Sequence, residues 1–262
     1  MPRLAVFTDL DGTLLDHASY SHAPAAPALA ELKARSIPLV LASSKTAAEI
    51  AVLHRALNLG PTPAIVENGA GLFDPVRKDP QEATAYLRIR AALDTVPPPL
   101  RAKFRGFGDM DSAEIAERTG LPPDGAKGAA NRCHSEPGLW SGTPEDEAAF
   151  VSALAEQGIS ARRGGRFLTL SFGATKADRL HEIAARLGAE RTIALGDAPN
   201  DIEMLQAADH GVIVRNDHGT PMPELDGEAT GRIRRSLEPG PTGWNTAILG
   251  LLAELDNEGH AT

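Results

Sequence analysis

At 262 residues, 42% hydrophobic and 23% charged, the chain has the composition of a globular protein with room for one large domain or two modest ones. Its formal charge of −9 excludes a general binder of nucleic acid or of anionic membrane, and no partner of either kind is expected. The single cysteine, Cys133, excludes an internal disulfide and suits a reducing compartment. The early apolar run from Leu4 to Phe7 is too short for a signal peptide, and no run approaches the roughly 20 apolar residues of a membrane span, so a cytoplasmic setting is expected.

Leu4–Thr8 is a short apolar run that stops at Asp9 and reads as a buried strand. Ala25–Arg35 reads as a helix and Ile37–Ala42 as a second strand. Thr46-Ala47-Ala48-Glu49 has the pattern of a capping box opening a helix that ends near Gly60. Pro63–Val66 is a third strand. Later, a helix is expected over Thr175–Leu187, a strand over Thr192–Leu195, a helix over Asp201–Ala208 and a strand over Gly211–Val214. This alternation implies an α/β fold, a doubly wound parallel sheet with a Rossmann-like core.

From about residue 81 to residue 172 the rhythm changes. Two Pro-rich stretches interrupt it, Asp111–Thr119 looks helical, and Gly164-Gly165 marks a hairpin-like turn before Arg166–Phe172. The segment reads as an inserted smaller α+β cap domain, leaving 1–80 and 173–262 as the catalytic core. Pro221–Asn245 reads as a looping tail before a last helix, Thr246–Leu255.

In a doubly wound fold, ligands bind beyond the carboxyl ends of the strands, where Asp9, Ser43, Asn68 and Asp197 are all expected. Asp9-Leu10-Asp11-Gly12-Thr13 is the strongest signal. Two carboxylates at i and i+2 suit one hard cation, Gly12 permits a tight turn and close approach to an anion, and Thr13 adds a hydroxyl. An ordinary turn would not need the first Asp. Ser43-Ser44-Lys45 leads into a capped helix and suits an anion seat, although a screened surface lysine would read the same way. Lys176 repeats that anomaly in a second capping box, Thr175–Asp178, where it could hold a carboxylate ionised or simply be solvated. Asp197 is placed to complete a metal site with Asp9 and Asp11, with Asp201 supporting it from behind.

Together, these pieces resemble the four motifs of the haloacid dehalogenase superfamily, in order. The resemblance implies a Mg²⁺-dependent phosphotransferase in which Asp9 is the nucleophile, Asp11 the general acid and base, and Ser43 and Lys176 the hydroxyl and lysine of the middle motifs. It also implies a type II cap and Mg²⁺ held by Asp9, Asp197 and the Asp11 backbone carbonyl.

Ser43-Ser44-Lys45-Thr46, Glu67-Asn68-Gly69-Ala70, Gly108-Asp109-Met110, Gly164-Gly165-Arg166 and Gly240-Pro241-Thr242-Gly243-Trp244-Asn245 further resemble the phosphatases of mannosyl- and glucosyl-3-phosphoglycerate. The implied substrate is a small phosphorylated sugar-acid ester, with Arg166 the expected reader of its carboxylate. Another sugar-phosphate phosphatase, a phosphosugar mutase or a catalytically silent binding module would share much of this pattern. The expected assembly is a monomer or weak homo-oligomer.

Overall fold

The computed structural model describes residues 3–77 and 82–260. In chain order it forms β1 (Leu4–Thr8), α1 (Ala26–Ala34), β2 (Leu39–Leu41), α2 (Ala47–Ala56), β3 (Ala64–Val66) and β4 (Gly71–Phe73). There follow α3 (Thr84–Leu93), α4 (Pro98–Arg101), β5 (Phe104–Gly106), α5 (Ser112–Thr119), α6 (Pro123–Ala130), β6 (Glu136–Trp140), α7 (Pro144–Ala155), β7 (Ser160–Gly164) and β8 (Phe167–Ser171). The chain ends with α8 (Lys176–Leu187), β9 (Arg191–Gly196), α9 (Ile202–Ala207), β10 (His210–Arg215), β11 (Ile233–Pro239) and α10 (Gly240–His260). Two compact units result, one of residues 1–43, 58–65 and 175–262, the other of 44–57 and 66–174. The boundary expected at 80/81 lies outside the described residues.

In the first unit the strands run β11-β10-β9-β1-β2, all parallel. A single parallel bridge, Ala42 to Ile65, extends the order toward β3. Every residue of β1 is buried, so both faces of the sheet are covered. Helices α1 and α10 pack on each other, as do α8 and α9. The chain winds outward from β1 through β2 in one direction and from β9 through β10 and β11 in the other. The order therefore reverses between β1 and β9, and the crevice at such a reversal is where open α/β sheets bind ligands.

Two expectations need correction here. The tail read as loop contains β11, and the last helix starts at Gly240 rather than Thr246. β11 lies at the sheet edge and exposes Arg234, Arg235 and Leu237, so it has no apolar run to betray it. At the start of α10, Pro241 sits in the first turn, where its missing N–H costs nothing.

The second unit holds an antiparallel sheet, β5-β6-β8-β7. Phe104, Phe150, Leu168 and Leu170 of this sheet and α7 pack with Ile89 and Leu93 of α3 into its main core. The expected hairpin turn is present: Gly164 pairs with Phe167, and Gly165 turns the chain at φ +56°. Both capping boxes form as read. Thr46 and Glu49 exchange bonds at the start of α2, and Thr175 and Asp178 do so at the start of α8.

Candidate active site

Asp9 is the residue after β1. Its N–H donates to Leu195 O at 2.9 Å, which ties the strand end to β9. Asp197 follows β9 directly, so the parallel register that pairs Thr8 with Leu195 brings both carboxylates to one end of the sheet. Lys176, the first residue of α8, is only 2% exposed. Its ammonium donates to Asp9 Oδ1 at 2.6 Å and to Asp201 Oδ1 at 2.7 Å. The lysine that the sequence could leave in solvent is thus a buried cation between two acids.

Among the described residues, Asp9, Asp197 and Asp201 offer carboxylate oxygens within 4.8 Å of one another, and all three are buried. Burial pushes the Asp9 carboxyl well above the ordinary carboxylate range; Lys176 opposes this, while Asp201 and Asp197 add to it. Burial and then Asp201 push Asp197 up as well, against hydrogen bonds from Thr13 and Asn216. Burial works against the Lys176 charge, but Asp201 and Asp9 outweigh it and raise its pKa. One ammonium among three buried carboxylates leaves negative charge uncompensated. An all-oxygen donor set of this kind fits a small hard divalent cation rather than zinc, which favours thiolate and imidazole.

Asp201 belongs to this carboxylate cluster, and Asp11 stands partly exposed on the turn, its backbone bridged to Leu15. Asp201 also accepts from the N–H groups of Asp197 and Ala198, both at 3.1 Å, and so shapes the turn carrying Asp197. The Thr13 hydroxyl, fully buried, is bonded to Asp197 Oδ1. Gly12 has φ +87°, and a Cβ there would lie 2.8 Å from both Asp197 Oδ2 and Asn216 Nδ2.

Asn216 escaped the sequence reading. It follows β10, and its Nδ2 donates to Asp197 Oδ2 at 2.6 Å while its Oδ1 accepts from the N–H groups of His218 and Gly219. Its place just past a strand end was the available signal. Asp9 Oδ2 has no hydrogen-bond partner among the described residues, and the Asp9 side chain keeps 11% of its surface exposed.

Residues 6–87 and 145–220, more than half of the chain, match the family model of haloacid dehalogenase-like hydrolases. The chain belongs to that family. The matched stretches carry every residue of the cluster. The sucrose-phosphatase of Synechocystis sp. PCC6803, solved with sucrose and phosphate, is 18% identical, with a TM-score of 0.64 over 98% of this chain and 99% of its own. A haloalkanoate-superfamily phosphatase from Bacteroides thetaiotaomicron is 20% identical, with a TM-score of 0.62 over 94% of both chains. A subclass IIB sugar phosphatase of the superfamily is 19% identical, with a TM-score of 0.62 over 94% of this chain and 98% of its own. At these identities the likeness establishes the fold.

In this haloacid dehalogenase-like hydrolase, Ser43 is buried just past β2, with its N–H on Ile65 O at 3.0 Å. Ser44, Lys45, Asn68 and Arg166 belong to the second unit. There Ser44 O accepts from Arg132, and Lys45 O from the Glu67 N–H at 2.9 Å. Glu67 and Asn68 both take left-handed backbone, φ 51° and 58°, which is strained for side-chain-bearing residues. The buried Glu67 carboxylate holds that turn through the N–H groups of Cys133 and His134 and the Ser135 hydroxyl. Arg166 is exposed on the β7–β8 turn, with Nη1 on Arg118 O at 2.6 Å and its guanidinium over the Phe167 ring. Arg163 is paired with Glu147.

Proposed function

We propose that this chain is a Mg²⁺-dependent sugar phosphatase that acts through an aspartyl-phosphate on Asp9, with mannosyl- or glucosyl-3-phosphoglycerate as substrate. The observation that carries the reading is Asp9 itself. One carboxylate oxygen is pinned by a buried ammonium and the other is open. A purely structural acid would bond both.

Asp9 Oδ2 attacks phosphorus, the P–O bond to the sugar-acid oxygen breaks, and Asp11 gives that oxygen its proton. Asp11 then takes a proton from a water whose oxygen attacks the same phosphorus; the P–Oδ2 bond breaks and phosphate leaves. Lys176 keeps Asp9 oriented and offsets charge on the transferring group. Asp9 and Asp197, backed by Asp201, would hold Mg²⁺, which supplies positive charge against the phosphoryl oxygens. Substrate choice is assigned to the second unit, with Arg166 reading the glycerate carboxylate. The sugar-acid specificity rests on the short motifs around Ser43, Glu67, Gly108, Gly164 and Gly240, and a sugar phosphatase in general is supported by the family and by the phosphatases that share the fold.

The test is phosphate release with Mg²⁺ from mannosyl- and glucosyl-3-phosphoglycerate, set against 3-phosphoglycerate and hexose 6-phosphates. Preference for a glycosylated ester supports the full reading. Activity on hexose phosphates alone removes the sugar-acid substrate and keeps the chemistry, while conversion to another phosphosugar without release of phosphate indicates a mutase.

A further inference from the structure

The motif Gly240–Asn245 has no part in the chemistry above, yet it ends on the largest fully buried side chain of the protein, Trp244. β1 reads Leu-Ala-Val-Phe and then Thr8, a hydroxyl with no solvent exposure at the close of an apolar strand. Such a group needs partners, and a valine of the same shape would need none. Trp244 Nε1 donates to Thr8 Oγ1 at 2.9 Å, and Thr8 Oγ1 donates to the carbonyl of Asp9 at 2.7 Å. We propose that Trp244 is a positioning residue for the Asp9 nucleophile and acts through the Thr8 hydroxyl.

With that relay in place, Asp9 is held at three points. Its N–H is on Leu195 O, its carbonyl is on Thr8 and its Oδ1 is on Lys176. These bonds restrict both the backbone at Asp9 and the direction of its carboxylate. The indole can serve as an anchor because the start of α10 is itself locked. A Cβ on Gly243 would lie 2.0 Å from Glu238 O, so only glycine lets the helix close this tightly on the end of β11. On the other side of Trp244, Asn245 Oδ1 accepts the Ala28 N–H at 2.9 Å and ties α10 to α1. The motif therefore joins the nucleophile strand to α10 and, through Asn245, to α1, and its tryptophan contributes a hydrogen bond as well as volume.

The role rests on the phosphatase reading. The experiment measures kcat and KM for para-nitrophenyl phosphate with Mg²⁺, per folded molecule, in wild type, Thr8→Val, Thr8→Ser, Trp244→Phe and the Thr8→Val/Trp244→Phe double variant. Thr8→Val and Trp244→Phe should each lower kcat about tenfold or more while KM stays within about twofold, since small misplacements of a reacting group act on rate rather than affinity. Thr8→Ser, which keeps the hydroxyl, should restore kcat. The double variant should be no slower than Thr8→Val, because both changes break one relay. Wild-type kcat in Thr8→Val, or losses that multiply in the double variant, would overturn the role while leaving the phosphatase intact. A wild type that hydrolyses no phosphate ester overturns the reading and the role together.

Discussion

Lys176 and Asp9, 167 positions apart in sequence, meet as a buried ion pair with Nζ 2.6 Å from Oδ1. The same ammonium bonds Asp201, so it offsets part of the repulsion within the acidic cluster. Lys176→Met should cost about 3–5 kcal/mol in a denaturant melt, the usual penalty for leaving buried charge without its partner. Lys176→Arg should not recover it, because the planar guanidinium needs room that a fully enclosed ammonium does not. A loss below about 1 kcal/mol, the range of surface pairs, would contradict the buried pairing.

Asp9→Asn separates chemistry from stability. The folded-state pKa of Asp9 is raised, so its contribution to stability is present at low pH and is lost as pH rises through the folded value. At neutral pH the carboxylate is a net burden on the metal-free fold, and the amide removes it. The variant should melt no lower than wild type at pH 7 without Mg²⁺, while turnover falls roughly 10³-fold or more. Turnover near wild type would remove Asp9 as nucleophile.

Magnesium should raise the melting temperature of wild type, by the equivalent of about 2.7 kcal/mol at a hundredfold excess over Kd. Asp197→Asn should abolish the rise. Asn216→Ala, which frees Asp197 Oδ2 from its 2.6 Å bond, should weaken Mg²⁺ affinity by about 10–100-fold. Titration of the melt with MgCl₂ reads all three. A wild type indifferent to Mg²⁺ would mean that the cluster holds no such ion.

Gly12→Ala combines two faults. The residue must keep φ +87°, and its new Cβ must displace Asp197 Oδ2 or Asn216 Nδ2 from 2.8 Å. The backbone term alone is about 1–3 kcal/mol, and the Mg²⁺-induced melting shift should shrink with it. A variant with normal stability and a normal Mg²⁺ response would show that the turn can relax.

In the second unit, burial raises the Asp109 carboxyl, but hydrogen bonds from Arg90, the Gly106 N–H and Arg101 outweigh it and leave its pKa lowered. A lowered carboxylate stabilises the fold above its unfolded value and loses that contribution as pH falls through the folded one. Melting temperatures taken from pH 6 down to pH 3 should therefore fall more steeply in wild type than in Asp109→Asn. Glu136, raised by burial and bonded to the same Arg90, works with the opposite sign. Parallel curves would show that Asp109 gains nothing from its arginines.

The local part of this protein is legible in its residues. β1 stops just before Asp9, and Thr46–Glu49 and Thr175–Asp178 close capping boxes. These features depend on neighbours one to four positions apart, and the parallel sheet follows from their alternation. Tertiary structure alone decided the rest. It made β11 from a polar edge segment whose pairing with β10 has no local signature, and it began α10 on Gly-Pro-Thr-Gly, which local propensity reads as a turn. It also gathered the Asp9, Asp197 and Asp201 carboxylates together, placed Asn216 on Asp197, and turned Lys176 from an ambiguous first-turn residue into the buried partner of Asp9. Each of those outcomes is a distance of a few ångströms between strand ends far apart in sequence. Such distances are set by the order of strands in the sheet and the packing of helices on it, which no single stretch of residues contains.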